Sequence, residues 1–123
     1  MHIDIRAQGF PLTEALREHA GRRIAFALSR FHDRMERVAV RLADDNGPRG
    51  GVDKRCQVRV HLRGLPEVVI TEMSEDIYAA IDRAADRAGR TLARRLARQR
   101  EFAPGEAPDL AGEAREQPGE TRP

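Results

Sequence analysis

The sequence predicts an α/β two-layer sandwich with element order β-α-β-β-β-α, a four-stranded sheet carrying two helices on one face. Three observations lead there. Three short stretches alternate apolar and polar residues with the period of two that a half-buried strand requires, and a fourth short run over residues 68–73 follows a turn. Two longer stretches repeat apolar residues every three or four positions, the signature of an amphipathic helix. One of these helices separates the first two strands, long enough to let them run parallel, whereas the later strand connections are short and favour an antiparallel meander.

The elements follow in order. Ile3, Ile5 and Ala7 alternate with Asp4 and Arg6 as a first strand, which Gly9, Phe10 and Pro11 break. Thr13 is the expected cap of a helix beginning at Glu14, whose stripe of Leu16, Ala20, Ile24, Ala27 and Phe31 predicts a helix to about Arg30 despite Gly21. Val38, Val40 and Leu42 mark a second strand, and the turn-rich residues 44–51 a loop. Cys56, Val58, Val60 and Leu62 alternate with Arg55, Gln57, Arg59, His61 and Arg63 in the clearest strand of the chain. Gly64, Leu65 and Pro66 turn into a fourth strand over residues 68–73.

The stretch from Ser74 to Arg100 is a long two-sided helix. Ser74 is the expected N-cap, with Glu75 and Asp76 placing negative charge in the first turn, where the helix dipole favours it. Ile77, Ile81, Ala85, Ala88, Leu92 and Leu96 form one apolar stripe, and Arg83, Arg87, Arg90, Arg94 and Arg98 repeat on the opposite face. Between positions 87 and 100 every charged residue is arginine. A solvated helix usually mixes both signs, so this row points to an anionic partner. Arginine suits that role because it bonds phosphate oxygens bidentately and stacks on bases.

The net charge of +2 over 123 residues conceals an asymmetry. Residues 1–100 hold 19 Arg and one Lys against 14 acids, whereas residues 101–123 hold two Arg against six acids. A basic body, assigned to residues 1–102, therefore precedes an acidic tail over 103–123. Pro, Gly, Glu and Ala dominate that tail, which lacks apolar periodicity and is expected to be disordered. The single cysteine, Cys56, permits no internal disulfide and suits a reducing, cytoplasmic setting. Its strand position makes it a small core residue. No run of apolar residues is long enough to cross a bilayer or to serve as a secretion signal.

Little points to catalysis, a cofactor or a metal. The four histidines show no zinc spacing, and Asp44, Asp45, Asn46 and Asp53 do not match a calcium loop. With one Tyr, four Phe and no Trp, a base-stacking platform is not expected, and Tyr78 reads as a partly buried packing residue. Arg41, Arg55, Arg59 and His61 on the exposed sheet face read first as ordinary polar alternation and second as another RNA surface. The loop containing Gly47, Gly50 and Gly51 reads equally as a close approach to RNA or as a plain hairpin loop.

Leu12-Thr13-Glu14-Ala15-Leu16-Arg17-Glu18-His19 and Glu75-Asp76-Ile77-Tyr78-Ala79-Ala80-Ile81-Asp82, followed by Asp86, Arg87, Arg90 and Leu92, resemble the ribosome hibernation factors, also called ribosome-associated inhibitors or subunit-interface proteins. The resemblance covers roughly residues 1–100 and implies a fold similar to double-stranded-RNA-binding domains. It also implies a non-enzymatic protein that docks on the small ribosomal subunit and its rRNA. Such a protein blocks the channel for messenger RNA and the A- and P-site transfer RNAs in starved or stationary cells, and is a monomer away from the ribosome, without a cofactor, membrane partner or small-molecule substrate. Arg87, Arg90 and the later arginines match the family's basic second-helix face, and Arg23 a basic position in the first helix. Phe26 and Ser29 stand where further basic residues are expected, although Arg22 and Arg30 lie nearby.

The expected RNA-binding set is thus Arg22, Arg23, Arg30, Arg83, Arg87, Arg90, Arg94, Arg95 and Arg98. The same features also suit two rival readings: a general structured-RNA-binding module using the same face, and a regulator acting through protein contacts.

Overall fold

The computed structural model describes residues 2–45 and 52–101, with side chains to residue 98. Strand β1 spans Ile3–Gln8, helix α1 Glu14–Leu28, a 3-10 stretch Ser29–Arg34, β2 Met35–Asp44, β3 Lys54–Leu62, β4 Val68–Ser74 and helix α2 Ile77–Glu101. Of the expected loop over 44–51, Asp44 instead ends β2, where it pairs with Lys54 across the ladder; residues 46–51 and the acidic tail over 103–123 lie outside the described residues. The chain divides into two compact units, residues 1–89 and 90–123. The first holds the sheet, α1 and the start of α2; of the second, the described residues are the remainder of that helix.

The sheet order is β1-β2-β3-β4, with β1 parallel to β2 and the other pairs antiparallel. Register aligns Ile3, Val38, Val60 and Val68 in one row across the sheet, and Ile5, Val40, Val58 and Ile70 in the next. A third row runs Ala7, Leu42, Cys56 and Glu72. These rows share a face because side chains alternate along each strand. Their members in β2 and β3 are buried. The intervening rows, such as Arg6, Arg41, Gln57 and Thr71, point to the other, polar face. A one-residue bulge between Met35 and Arg37 leaves two successive exposed residues, Glu36 and Arg37, before the alternation resumes at Val38.

Thr13 caps α1 as expected, its hydroxyl accepting the Leu16 N–H at 3.2 Å. The helix stops at Leu28, two residues short of the expectation, and tightens into the 3-10 stretch. There the Ser29 hydroxyl donates to the Phe26 carbonyl at 3.2 Å, satisfying one acceptor left over at the helix end. Leu28 takes the buried place expected of Ala27. Ala27 instead faces α2: a Cβ added at Gly89 would lie 3.1 Å from the Ala27 carbonyl oxygen, so the absence of a side chain there lets the helices approach closely.

Helix α2 begins later than the sequence suggests. Ser74 ends β4, and its hydroxyl accepts the Asp76 N–H at 3.2 Å. Asp76 caps the helix, its carboxylate accepting the Tyr78 N–H at 3.1 Å and its carbonyl the Ala80 N–H at 3.0 Å. The shift follows from strand pairing: Ser74 is held opposite Lys54 in the ladder, which leaves the cap to the next suitable acceptor. The apolar stripe of α2 is buried at Ile81, Ala85, Ala88, Leu92 and Leu96, with Ala80 and Ala84 added. Gly9 and Gly64 adopt positive φ at the two expected breaks. Among the described residues, no helix is long and apolar enough to cross a membrane.

Candidate nucleic-acid interface

The nine arginines expected to bind RNA fall into four structural situations. Arg22 and Arg30 are exposed on and just beyond α1. Arg22 approaches Glu18 one turn earlier at 3.6 Å, a solvent-exposed pair of small energetic weight. The Arg30 guanidinium carbon lies 4.9 Å from the centroid of the Phe31 ring, a cation–π contact that holds the side chain while leaving its donors available. Between them Phe26 points into solvent, 78% exposed.

Arg23 is different. Only 27% of its side chain is exposed, and it ties α1 to α2. Its Nε donates to Asp82 Oδ1 at 3.0 Å, and its Nη2 to Asp86 Oδ1 at 2.9 Å and the Asp82 carbonyl at 3.3 Å. His19 Nε2 lies 2.9 Å from the same Asp82 oxygen, and its ring meets Tyr78 edge-on at 4.9 Å. Burial pushes the Asp82 carboxyl up, but the hydrogen bonds and charges of His19 and Arg23 outweigh it and hold it below the usual carboxylate range. The bond to Asp86, against some loss from burial, raises Arg23 above its ordinary value. Two carboxylates surround this guanidinium, so its charge is neutralised locally. Its geometry makes Arg23 a helix–helix tie.

Arg83 and Arg87 occupy a third setting, along β4. Among the described residues that strand pairs only with β3, which leaves its outer carbonyls without ladder partners there. Arg83 Nη1 donates to the Met73 carbonyl at 3.0 Å, and Arg87 Nη1 to the Thr71 carbonyl at 3.3 Å and Glu72 Oε2 at 2.8 Å. The two guanidinium groups thus seal the sheet edge. Arg83 makes one of these bonds and Arg87 two, fewer than the five N–H donors of a guanidinium, so each anchored group retains donors for an anion. Farther along α2, Arg90 and Arg94 are exposed and Arg95 and Arg98 half-buried.

The polar sheet face carries arginines too, but acids accompany them. Asp4 pairs with Arg6 at 3.2 Å and Arg41 at 3.4 Å, Asp45 with Arg55 at 3.0 Å, and Glu67 with Arg59 at 3.1 Å and His61 at 2.9 Å. Gln57 bridges Arg59 to Thr71. This is the alternation of a solvated sheet knitted by cross-strand pairs, and it offers less free positive charge than the helices.

Cys56 is fully buried in the third apolar row opposite Glu72. Desolvation, helped by that carboxylate, pushes its thiol up to about 12, so it serves as core rather than as a nucleophile. The aspartates near the loop have cationic partners: Lys54 reaches Asp53 at 2.8 Å and Asp44 at 3.5 Å. Among the described residues, no group of three or more His, Cys, Asp or Glu side chains is placed to hold a metal ion.

The sequence reading missed the Arg23 tie. Its visible signal was the pair Asp82 and Asp86, one turn apart, which breaks the arginine row at the start of α2. The exposure of Phe26 was legible from its position, two residues past Ile24 and so roughly opposite the buried stripe.

Residues 3–100 match the Ribosomal_S30AE family, described as Sigma 54 modulation protein / S30EA ribosomal protein. The ribosome hibernation promoting factor of Azotobacter vinelandii is 31% identical over 108 residues, covering 88% of this chain and 94% of that protein. Among solved structures, the Thermus thermophilus Protein Y N-terminal domain superposes with a TM-score of 0.63 at 29% identity, covering 76% of this chain and 98% of that one. A ribosomal subunit interface protein from Coxiella burnetii gives 0.66 at 21% identity, covering 79% and 99%, a likeness of fold. A match over nearly the whole described chain, joined to the same sandwich architecture, places this protein in the Ribosomal_S30AE family.

Proposed function

We propose that this protein is a non-enzymatic ribosome hibernation factor that binds small-subunit rRNA in the cytoplasm and occludes the decoding channel, where messenger RNA and A- and P-site transfer RNAs lie. The observation that carries the reading is the acid-free arginine run of α2, on a chain whose relative in Azotobacter vinelandii is a ribosome hibernation promoting factor. Arg90 and Arg94 supply the main exposed charge on α2, with Arg95 and Arg98 beside them, and Arg22 and Arg30 supply it on α1. Arg83 and Arg87 contribute the donors left after sealing β4. Arg23 positions α1 against α2. In this reading residues 1–102 are the ribosome-binding domain of a protein that is monomeric off the ribosome, and residues 103–123 an acidic tail.

The test is co-sedimentation with purified small subunits over a salt series. If about six arginines neutralise phosphates, log K falls with log salt at a slope of about −4 to −5. Arg90→Glu with Arg94→Glu abolishes binding at physiological salt and leaves the thermal melt unchanged, since neither side chain is buried. A slope near zero, or full binding by that variant, overturns the reading. Equal competition by bulk double-stranded RNA and by small subunits replaces it with a general RNA-binding module.

A further inference from the structure

Phe26 lies outside the buried core. Helix α1 buries Leu16, Ala20, Ile24 and Leu28, and Phe26 lies roughly opposite that stripe, 78% exposed. Phe31, by contrast, is buried, and Tyr78 is engaged by the His19 ring. Among the described residues Phe26 is the most exposed large apolar side chain. A single exposed apolar residue means little alone. The arginines around it give it meaning: Arg22 stands one turn before it and Arg30 one turn after, both exposed. The Arg22 head turns back toward Glu18 and the Arg30 head lies over Phe31, so the two cations flank the Phe26 position along the chain rather than enclosing its ring. An exposed aromatic with a cation on either side complements a nucleotide strand, whose base offers a π-face and whose flanking phosphates offer negative charge.

We propose that Phe26 is a base-stacking anchor: its ring packs against one unpaired base of the bound RNA while Arg22 and Arg30 take the phosphates on either side. This rests on the RNA-binding reading above and adds a contact to it. Phe26 acts as one anchor, not a platform, in keeping with the scarcity of aromatic residues. Because stacking is largely insensitive to charge, its loss lowers affinity at every salt concentration without changing the salt slope, whereas loss of an arginine flattens the slope.

The chain has no tryptophan, so Phe26→Trp installs a single fluorescent reporter at the site. Full-length wild type, Phe26→Ala, Phe26→Leu and Phe26→Trp are titrated with purified small subunits across the salt series. Unchanged melting of all variants is expected from the exposure of the position. Stacking predicts that Phe26→Ala and Phe26→Leu bind roughly 5- to 100-fold more weakly with an unchanged slope. Phe26→Trp retains affinity, and its emission is quenched on binding. Wild-type binding with undiminished affinity in Phe26→Ala overturns this inference alone. Full affinity in Phe26→Leu, with a blue-shifted and unquenched tryptophan, also overturns it and assigns the ring to an apolar protein pocket. Wild type that fails to bind small subunits overturns the functional reading and this inference together.

Discussion

If Arg23 is a tie between helices, disrupting it destabilises the fold before it affects RNA. The informative perturbation is a double-mutant cycle of Arg23→Met and Asp86→Ala. Methionine keeps much of the apolar stem that packs beside α2 and removes the guanidinium. The Arg23–Asp86 contact is a 2.9 Å charged hydrogen bond between a side chain 27% exposed and one 59% exposed. Solvent screening at that exposure places the coupling near the upper end of surface pairs, about 0.5–1 kcal/mol. Arg23→Met alone also breaks two bonds to Asp82, at 3.0 Å and 3.3 Å, and costs about 1–2 kcal/mol in total. For a domain of this size that moves a urea midpoint by roughly 0.5–1 M. Urea unfolding of the four cycle members, in low salt and again in 1 M salt, reads the coupling directly. It should shrink in high salt. A coupling indistinguishable from zero, with Arg23→Met as stable as wild type but weaker on small subunits, would refute the tie and return Arg23 to the RNA-binding set.

Two further outcomes follow from the same geometry. Asp82 titrates below its unfolded value, so its contribution to stability is present above the ordinary aspartate range near pH 4 and is lost as pH falls through and below it. Wild type therefore loses stability between about pH 5 and pH 2, and Asp82→Asn, weaker at neutral pH, loses less over that range; parallel pH profiles would contradict the assignment. Cys56, with its thiol pushed up to about 12 and fully buried, stays unlabelled by a thiol reagent at pH 8 in the native protein. It reacts with one equivalent on unfolding, and rapid native labelling would show that the third apolar row is open to solvent.

Apolar periodicity is a local property, and it foretold the order and type of the four strands and two α-helices, though not the 3-10 stretch Ser29–Arg34. Alternation around Val58 allows one face of a strand, and Thr13 followed by Leu16 allows one helix start. Gly9 and Gly64 marked the breaks because the backbone turns there through positive φ. Local signals failed where two neighbours competed for one role. Ser74 and Asp76 can each cap a helix, and pairing of Ser74 with Lys54 across the ladder gave the cap to Asp76. Ala27 and Leu28 can each face a core; in the fold Leu28 is buried and Ala27 is half-buried where Gly89 comes close. The arginines show the limit most clearly. In the sequence Arg23, Arg83, Arg87 and Arg90 are all cations expected on helices, with nothing local to tell them apart. Arg23 became a helix tie because Asp82 and Asp86, 59 and 63 positions away, pack against it. Arg83 and Arg87 became edge seals because β4 is the last strand of the sheet. Periodicity acts over one turn of helix, whereas an ion pair's partner is chosen by tertiary packing, and only the folded chain separates the charges that hold it together from those left exposed.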